Sequence, residues 1–147
     1  MGARNIITHS EEETIAFGEQ LAHKLARGSV VALYGDLGTG KTRVIKGICR
    51  GLGVKEHVAS PTFMIVNEYK GSLLNIFHFD FYRINSLVEV REIGVEEYLS
   101  GDGVCLIEWA DRIKDVLPLN RFDLHLLLGN DEHSRMITIE EQLGVAA

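Results

Sequence analysis

The chain has 147 residues, 46% of them apolar and 24% charged, enough to build one full hydrophobic core and too few for a second, so residues 1–147 are expected to form one domain. The formal net charge of −6, with no block of five or six like charges, argues against a protein that grips nucleic acid directly; if RNA enters its biology, an RNA-binding partner makes the contact. No apolar run nears the roughly 20 residues of a bilayer span, and the opening Met1-Gly-Ala-Arg-Asn-Ile6 is too polar for a signal peptide, so a cytoplasmic protein with no membrane role is expected.

Ser10-Glu-Glu-Glu13 reads as a capping box that opens an amphipathic helix, with Phe17, Leu21 and Leu25 on one face and Gly28 just past its end. Residues 29–34 form a short apolar run, read as a strand, that empties into Gly35-Asp-Leu-Gly-Thr-Gly-Lys-Thr42. That octapeptide fits G-x-x-x-x-G-K-[ST] at every fixed position. Beyond it Val44, Ile45, Ile48 and Leu52 fall at helical spacing, and the helix stops by Gly53. Strand, glycine loop and helix thus come in the order of a phosphate cradle, in which backbone N–H groups and the positive end of the helix face an anion. Lys41 would reach the β- and γ-phosphates, and the Thr42 hydroxyl would ligate Mg²⁺.

Pro61 pushes Ser60 towards an extended conformation, so Ala59-Ser-Pro-Thr-Phe63 is read as a loop that offers the Thr62 hydroxyl after the nucleotide loop. Residues 63–69 and 73–79 flank Lys70-Gly-Ser72 and read as an antiparallel hairpin whose second strand runs into Asp80. Residues 85–99 are acidic and helical. Residues 104–107 are a continuous apolar tetrad, the mark of a strand buried on both faces, and lead straight into Glu108-Trp109. Two strand-end acids therefore compete for the metal: Glu108 has the more buried-looking strand, Asp80 the shorter side chain that most often holds this ion. A short helix over 110–117 halts before Pro118, and residues 122–128 and 135–140 make a last hairpin. In it Leu124, Leu126 and Leu128 alternate on one face and Ile137 and Ile139 answer across. At its tip His133 and Arg135 could touch a base or a phosphate. Cys49 and Cys105 fall in apolar stretches with no CxxC or Cys/His cluster, so both read as unpaired core residues.

These elements specify an α/β protein of the P-loop NTPase fold, with a mainly parallel central sheet, antiparallel hairpin additions and helices on both faces. The chemistry implied is Mg²⁺-dependent binding of a nucleoside triphosphate. ATP is favoured over GTP, because the chain lacks the Asn-Lys-x-Asp segment that reads guanine and no Asp-x-x-Gly follows the metal strand. A small-molecule kinase would also need a lid and an acceptor pocket, and neither is legible.

In combination, Gly35-Asp-Leu-Gly-Thr-Gly-Lys-Thr42, Ser60-Pro-Thr-Phe63, His78-Phe-Asp-Phe-Tyr-Arg83, Gly94-Val-Glu-Glu-Tyr98, Ile107-Glu-Trp109 and Leu117-Pro118 resemble the bacterial TsaE proteins, the ATPase components of tRNA threonylcarbamoyladenosine synthesis. The resemblance runs in register from about Glu11 to Pro118 and is loose in the last hairpin. It implies an ATPase that does not itself modify tRNA. Such a protein, monomeric on its own, docks onto TsaB and TsaD, meets tRNA only through that complex, and sustains modification of the adenosine beside the anticodon. By the same resemblance Gly38, Thr39, Gly40, Lys41, Thr42 and Arg43 serve the nucleotide, and Thr42 and Glu108 hold Mg²⁺. Asp80 and Trp109 are needed for turnover, Thr62 belongs to a nucleotide-sensing loop, and Glu11 and His133 border the nucleotide. No catalytic arginine in cis stands out, with Arg43, Arg83 and Arg91 as candidates, and one supplied from outside is worth roughly 10³ to 10⁵ in rate. Slow hydrolysis alone and stimulation by partners are therefore expected. The alternatives are a nucleotide-dependent interaction module, in which binding carries the signal, and a stand-alone small-molecule kinase.

Overall fold

The structure, a computed structural model, describes residues 3–36, 38–61 and 66–143. Its elements are β1 (Arg4–Thr8), α1 (Glu11–Ala22), β2 (Val30–Tyr34), α2 (Lys41–Gly51), β3 (Val66–Lys70) and β4 (Asn75–Asp80). They are followed by α3 (Leu87–Ile93), α4 (Val95–Leu99), β5 (Val104–Glu108), a 3-10 helix (Ala110–Val116), β6 (Arg121–Leu128) and β7 (Arg135–Gln142). The seven strands form one mixed sheet in the order β1-β7-β6-β2-β5-β4-β3. Its centre is parallel, with β2 between β5 and β6 and β4 beside β5, while β3, β7 and β1 add antiparallel edges. This is the expected α/β architecture.

Strand alternation divides the core into two layers. On one side Val31, Leu33, Leu106, Leu124 and Ile137 pack beneath Phe17 and Leu21 of α1 and Val44, Ile45 and Ile48 of α2. On the other Val30, Ala32, Cys105, Ile107 and Phe79 pack against Val90 of α3, Val95 and Leu99 of α4 and Ile113 of the 3-10 helix. All five residues of β5 are buried, as a continuous apolar run predicts. The two cysteines are free and buried, each with its thiol pushed up to about 12 by burial. Helix α1 lies close on α2: a Cβ at Gly47 would collide with the Ile15 carbonyl oxygen, and one at Gly18 with that of Val44. This close approach sets the start of α1 beside the start of α2.

Several boundaries differ from the sequence reading. Helix α1 ends at Ala22, short of Leu25, which is nonetheless buried. Ser10 Oγ accepts from the Glu13 N–H at 3.1 Å, but Glu13 answers the N–H of His9 at 2.9 Å, one residue earlier than a capping box predicts. The hairpin loop spans Gly71 to Leu74, because register joins Lys70 to Asn75, and residues 63–65 lie outside the described chain. The helix expected over 85–99 is two helices, since Gly94 takes the left-handed conformation (φ 83°) that ends α3 and begins α4. The segment 110–116 is a 3-10 helix kinked at Ile113. Strand β1 went unread: Asn5-Ile6-Ile7 is too short to show a period, and it is a strand because β7 offers it an edge.

Candidate functional site

Strands β2, β4 and β5 are mutually parallel and end on the same side, so their carboxyl ends open into one crevice. That crevice is an open cleft of about 560 Å³ whose lining includes Glu11, Gly38, Gly40, Lys41, Thr42, Arg43, Ser60, Asp80, Tyr82, Glu108, Trp109, His133 and Arg135. Alternation explains the acids. Ile76, His78 and Asp80 share a face of β4, Leu106 and Glu108 share that face of β5, and Asp80 stands opposite Glu108 in the register. This is the face that α1 and α2 cover, so both carboxylates emerge beneath the head of α2.

Helix α2 is preceded by Gly40, whose φ of 99° favours glycine, and among the described residues no side chain caps its first-turn N–H groups, at the edge of the cleft that Gly40 and Lys41 line. Lys41 is 5% exposed, and its ammonium donates to the carbonyls of Gly35 and, at 3.0 Å, Asp36. Desolvation holds its pKa below the usual lysine range, opposed by the charges of Glu108 and Asp80. The same ammonium lies 4.7 Å from the centre of the Trp109 ring, which also packs on Tyr82 with centroids 5.0 Å apart. Trp109 takes φ 58°, the one non-glycine with positive φ among the described residues, which turns the chain sharply after Glu108 and lays the indole under Lys41.

The hydroxyl of Thr42 is 3.0 Å from that of Ser60, which donates to Glu108 Oε2 at 3.1 Å; His78 Nε2 stands 2.7 Å from the same carboxylate oxygen. Glu108 is 4% exposed and His78 is fully buried, with its Nδ1 unpartnered among the described residues. An unmet polar atom in a core typically costs about 1–3 kcal/mol. Asp80 accepts from the Tyr82 N–H at 3.0 Å, and its carboxyl is pushed above its usual range, chiefly by burial. The chemistry of this donor set suits Mg²⁺, a hard cation that takes oxygen ligands and is commonly held by one or two protein groups together with phosphates. The Thr42 hydroxyl and the Glu108 carboxylate reach the same Ser60 oxygen, which puts two oxygen groups on one wall of the cleft.

The hairpin tip closes the far side. Asp131 receives the N–H groups of His133 and Ser134, both at 2.9 Å, and the Ser134 hydroxyl at 3.1 Å, contacts that hold its carboxyl below the usual range. Arg135 then donates to the carbonyls of Glu132 and Ser134 at 2.8 Å each and to that of Gly38 at 3.2 Å, tying the tip to the P-loop.

Most of the expected site residues are thus brought to one cleft. Glu11 and Arg43 meet there as an exposed ion pair at 2.5 Å. Thr39 is the exception: its hydroxyl turns inward to the Asp36 carbonyl at 2.8 Å, and it does not line the cleft. Thr62 lies outside the described residues. Of the candidate arginines, Arg43 is at the cleft, whereas Arg91 pairs with Glu96 at 3.5 Å on the helices of the opposite layer. Sequence reasoning gave no role to Ser60, His78 or Tyr82. His78 was reachable, because it stands two residues before Asp80 on a strand and so shares its face; Ser60 and Tyr82 become site residues only through the fold.

A family model described as threonylcarbamoyl adenosine biosynthesis protein TsaE matches residues 8–137. Among curated proteins, the chain is similar to the tRNA threonylcarbamoyladenosine biosynthesis protein TsaE of Bacillus subtilis, with 41% identity over 125 residues, covering 85% of this chain and 78% of that one. The TsaE protein of Treponema pallidum is 41% identical over 112 residues, covering 76% and 82%. That of Rickettsia felis is 40% identical over 140 residues, covering 91% and 78%. The crystal structure of Bacillus subtilis YdiB superposes with a TM-score of 0.83 at 35% identity, covering 96% of this chain and 86% of that one.

Proposed function

The chain belongs to the TsaE family and so has a role in tRNA threonylcarbamoyladenosine biosynthesis, and from that premise we propose that it serves there as a cytoplasmic, Mg²⁺-dependent ATPase acting with TsaB and TsaD. The observation that carries this reading is the convergence of Lys41, at an uncapped helix start, with the chain of contacts from Thr42 through Ser60 to Glu108. Uncapped N–H groups at a helix start favour an anion, and Lys41 exchanges its loop carbonyls for the β- and γ-phosphates of ATP.

Held by Thr42, Glu108 and phosphate oxygens, Mg²⁺ would neutralise the charge that builds on the transferred phosphoryl group. Asp80 would orient the attacking water; what supports this is its place in the cleft, its one N–H partner among the described residues and a carboxyl that burial makes more basic than usual. Trp109 covers the buried side of Lys41 and keeps water from that ammonium. Glu11, Arg43 and His133 border the nucleotide at the outer rim, and Thr62 retains the sensing role that the family resemblance implies.

Both arginines lining the cleft are already engaged, Arg43 with Glu11 and Arg135 with three carbonyls. This supports slow hydrolysis by the isolated chain and stimulation on docking, since a partner can supply or release the missing positive charge. Single-turnover hydrolysis of ATP, measured with and without TsaB and TsaD, tests the proposal. A rate increase of about 10-fold or more is expected, well within what an added arginine supplies; equal rates overturn the partner-stimulated reading.

A further inference from the structure

We propose that His78 is a positioning residue that fixes which oxygen of Glu108 faces the cleft. The inference rests on the reading of that cleft as a Mg²⁺-nucleotide site.

His78 is fully buried on β4, in a layer whose neighbours Ile76 and Leu106 are apolar, so packing alone calls for an aliphatic side chain there. The imidazole instead leaves Nδ1 without a partner among the described residues, a cost that a leucine avoids. What it adds is a donor. A carboxylate oxygen accepts, so the ring nitrogen 2.7 Å from Glu108 Oε2 is the donor of that contact. Ser60 Oγ donates to that same Oε2 at 3.1 Å. With both donors on one oxygen, Oε2 is pinned inward and Oε1 is the oxygen left for a cation.

Ser60 sits on a loop and cannot hold the carboxylate as firmly as a ring locked in the sheet. Without the His78 donor the carboxylate is free to turn towards the Lys41 ammonium, which lines the same cleft. A ligand's supporting hydrogen bond then acts on metal affinity rather than on the fold.

The test is calorimetric titration of the full chain with ADP over a series of Mg²⁺ concentrations, which needs no turnover. Three variants separate the donor from the packing. His78→Gln can place an amide N–H near the position of Nε2; His78→Asn is equally polar but too short to reach Oε2; His78→Leu keeps the volume and removes the orphaned atom. In the wild type, Mg²⁺ is expected to tighten ADP binding. His78→Asn and His78→Leu are expected to need about 10- to 100-fold more Mg²⁺ for that effect, with Mg²⁺-free affinity within about twofold of wild type. His78→Gln is expected to recover most of the response, and His78→Leu to melt no lower than wild type. The same Mg²⁺ dependence in the Gln and Asn variants overturns the positioning role, and their comparison stands even if the Leu variant fails to fold. A wild type that ignores Mg²⁺ overturns the reading of the cleft itself, and the role of His78 with it.

Discussion

Two clefts of nearly equal size lie at opposite ends of the sheet, and their contrast shows what makes a site. The cleft at the carboxyl ends of β2, β4 and β5 measures about 560 Å³; the other, about 570 Å³, lies at the amino ends of β4 and β5 among Arg27, Leu73, Phe77, Glu97, Tyr98 and Asp102. Volume does not separate them. In the first, the uncapped start of an 11-residue helix, a buried lysine and two acids beneath it converge on one space. In the second, charges and apolar groups share a wall; Gly94, at the head of the five-residue α4, lines it too, but no buried charge stands beside that helix start among the described residues. Parallel strands produce the difference, because every β-to-α turn at their carboxyl ends brings amides and strand-end side chains to the same edge.

The strongest way to break the comparison is to remove its one buried ammonium. Lys41→Ala is expected to weaken nucleotide binding by roughly 100-fold, the scale of charge-assisted hydrogen bonds lost from a desolvated site, and to abolish modification in a reconstituted system. Arg27→Ala in the lower cleft is expected to leave binding within about twofold. Calorimetry on both variants decides it, and similar losses would make the two clefts equivalent.

A smaller effect is expected at the hairpin tip. Asp131→Ala releases the N–H groups of His133 and Ser134 and loosens Arg135 over the P-loop, which should raise the nucleotide dissociation constant by about 2- to 5-fold, the value of an ordinary hydrogen bond. Because those contacts hold the Asp131 carboxyl below its usual range, their contribution to stability is present above the range where an unfolded carboxyl titrates and is lost as pH falls through the folded value. Thermal melts of wild type and variant should therefore converge in acid.

Asp80 carries the opposite sign. Burial raises its carboxyl, so the folded chain holds that proton more tightly than the unfolded one, and ionising Asp80 costs stability as pH rises through the folded value. Asp80→Asn is expected to raise Tm slightly at neutral pH and to match wild type in acid, while nucleotide binding survives better than turnover. A variant that melts lower than wild type at neutral pH would contradict this account.

Much of this contrast was legible in the sequence, and its limits are physical. The strand, glycine loop and helix around Lys41 declare themselves by local pattern, and the apolar tetrad 104–107 announces a buried strand with Glu108 at its end. What escaped depends on long-range pairing. Strand β1 exists because β7 offers an edge, and Ser60 reaches Thr42 and Glu108 only when the loop folds over α2. The break at Gly94 was readable as a glycine inside an acidic helix, but local propensity alone did not say that it would take positive φ. The choice between Asp80 and Glu108 was open in the residues; in the fold Glu108 shares the Ser60 hydroxyl with Thr42, while Asp80 accepts from the Tyr82 N–H.

The most direct test uses the chain's single tryptophan. Trp109 lies 4.7 Å from the Lys41 ammonium, so a phosphate that draws Lys41 off its loop carbonyls changes the surroundings of the indole. Titration of the wild-type chain with ADP and Mg²⁺, followed by intrinsic fluorescence, should give a saturable change that Lys41→Ala abolishes. A fluorescence unmoved by nucleotide, or one that responds equally in the Lys41 variant, would contradict the placement of the triphosphate in this cleft.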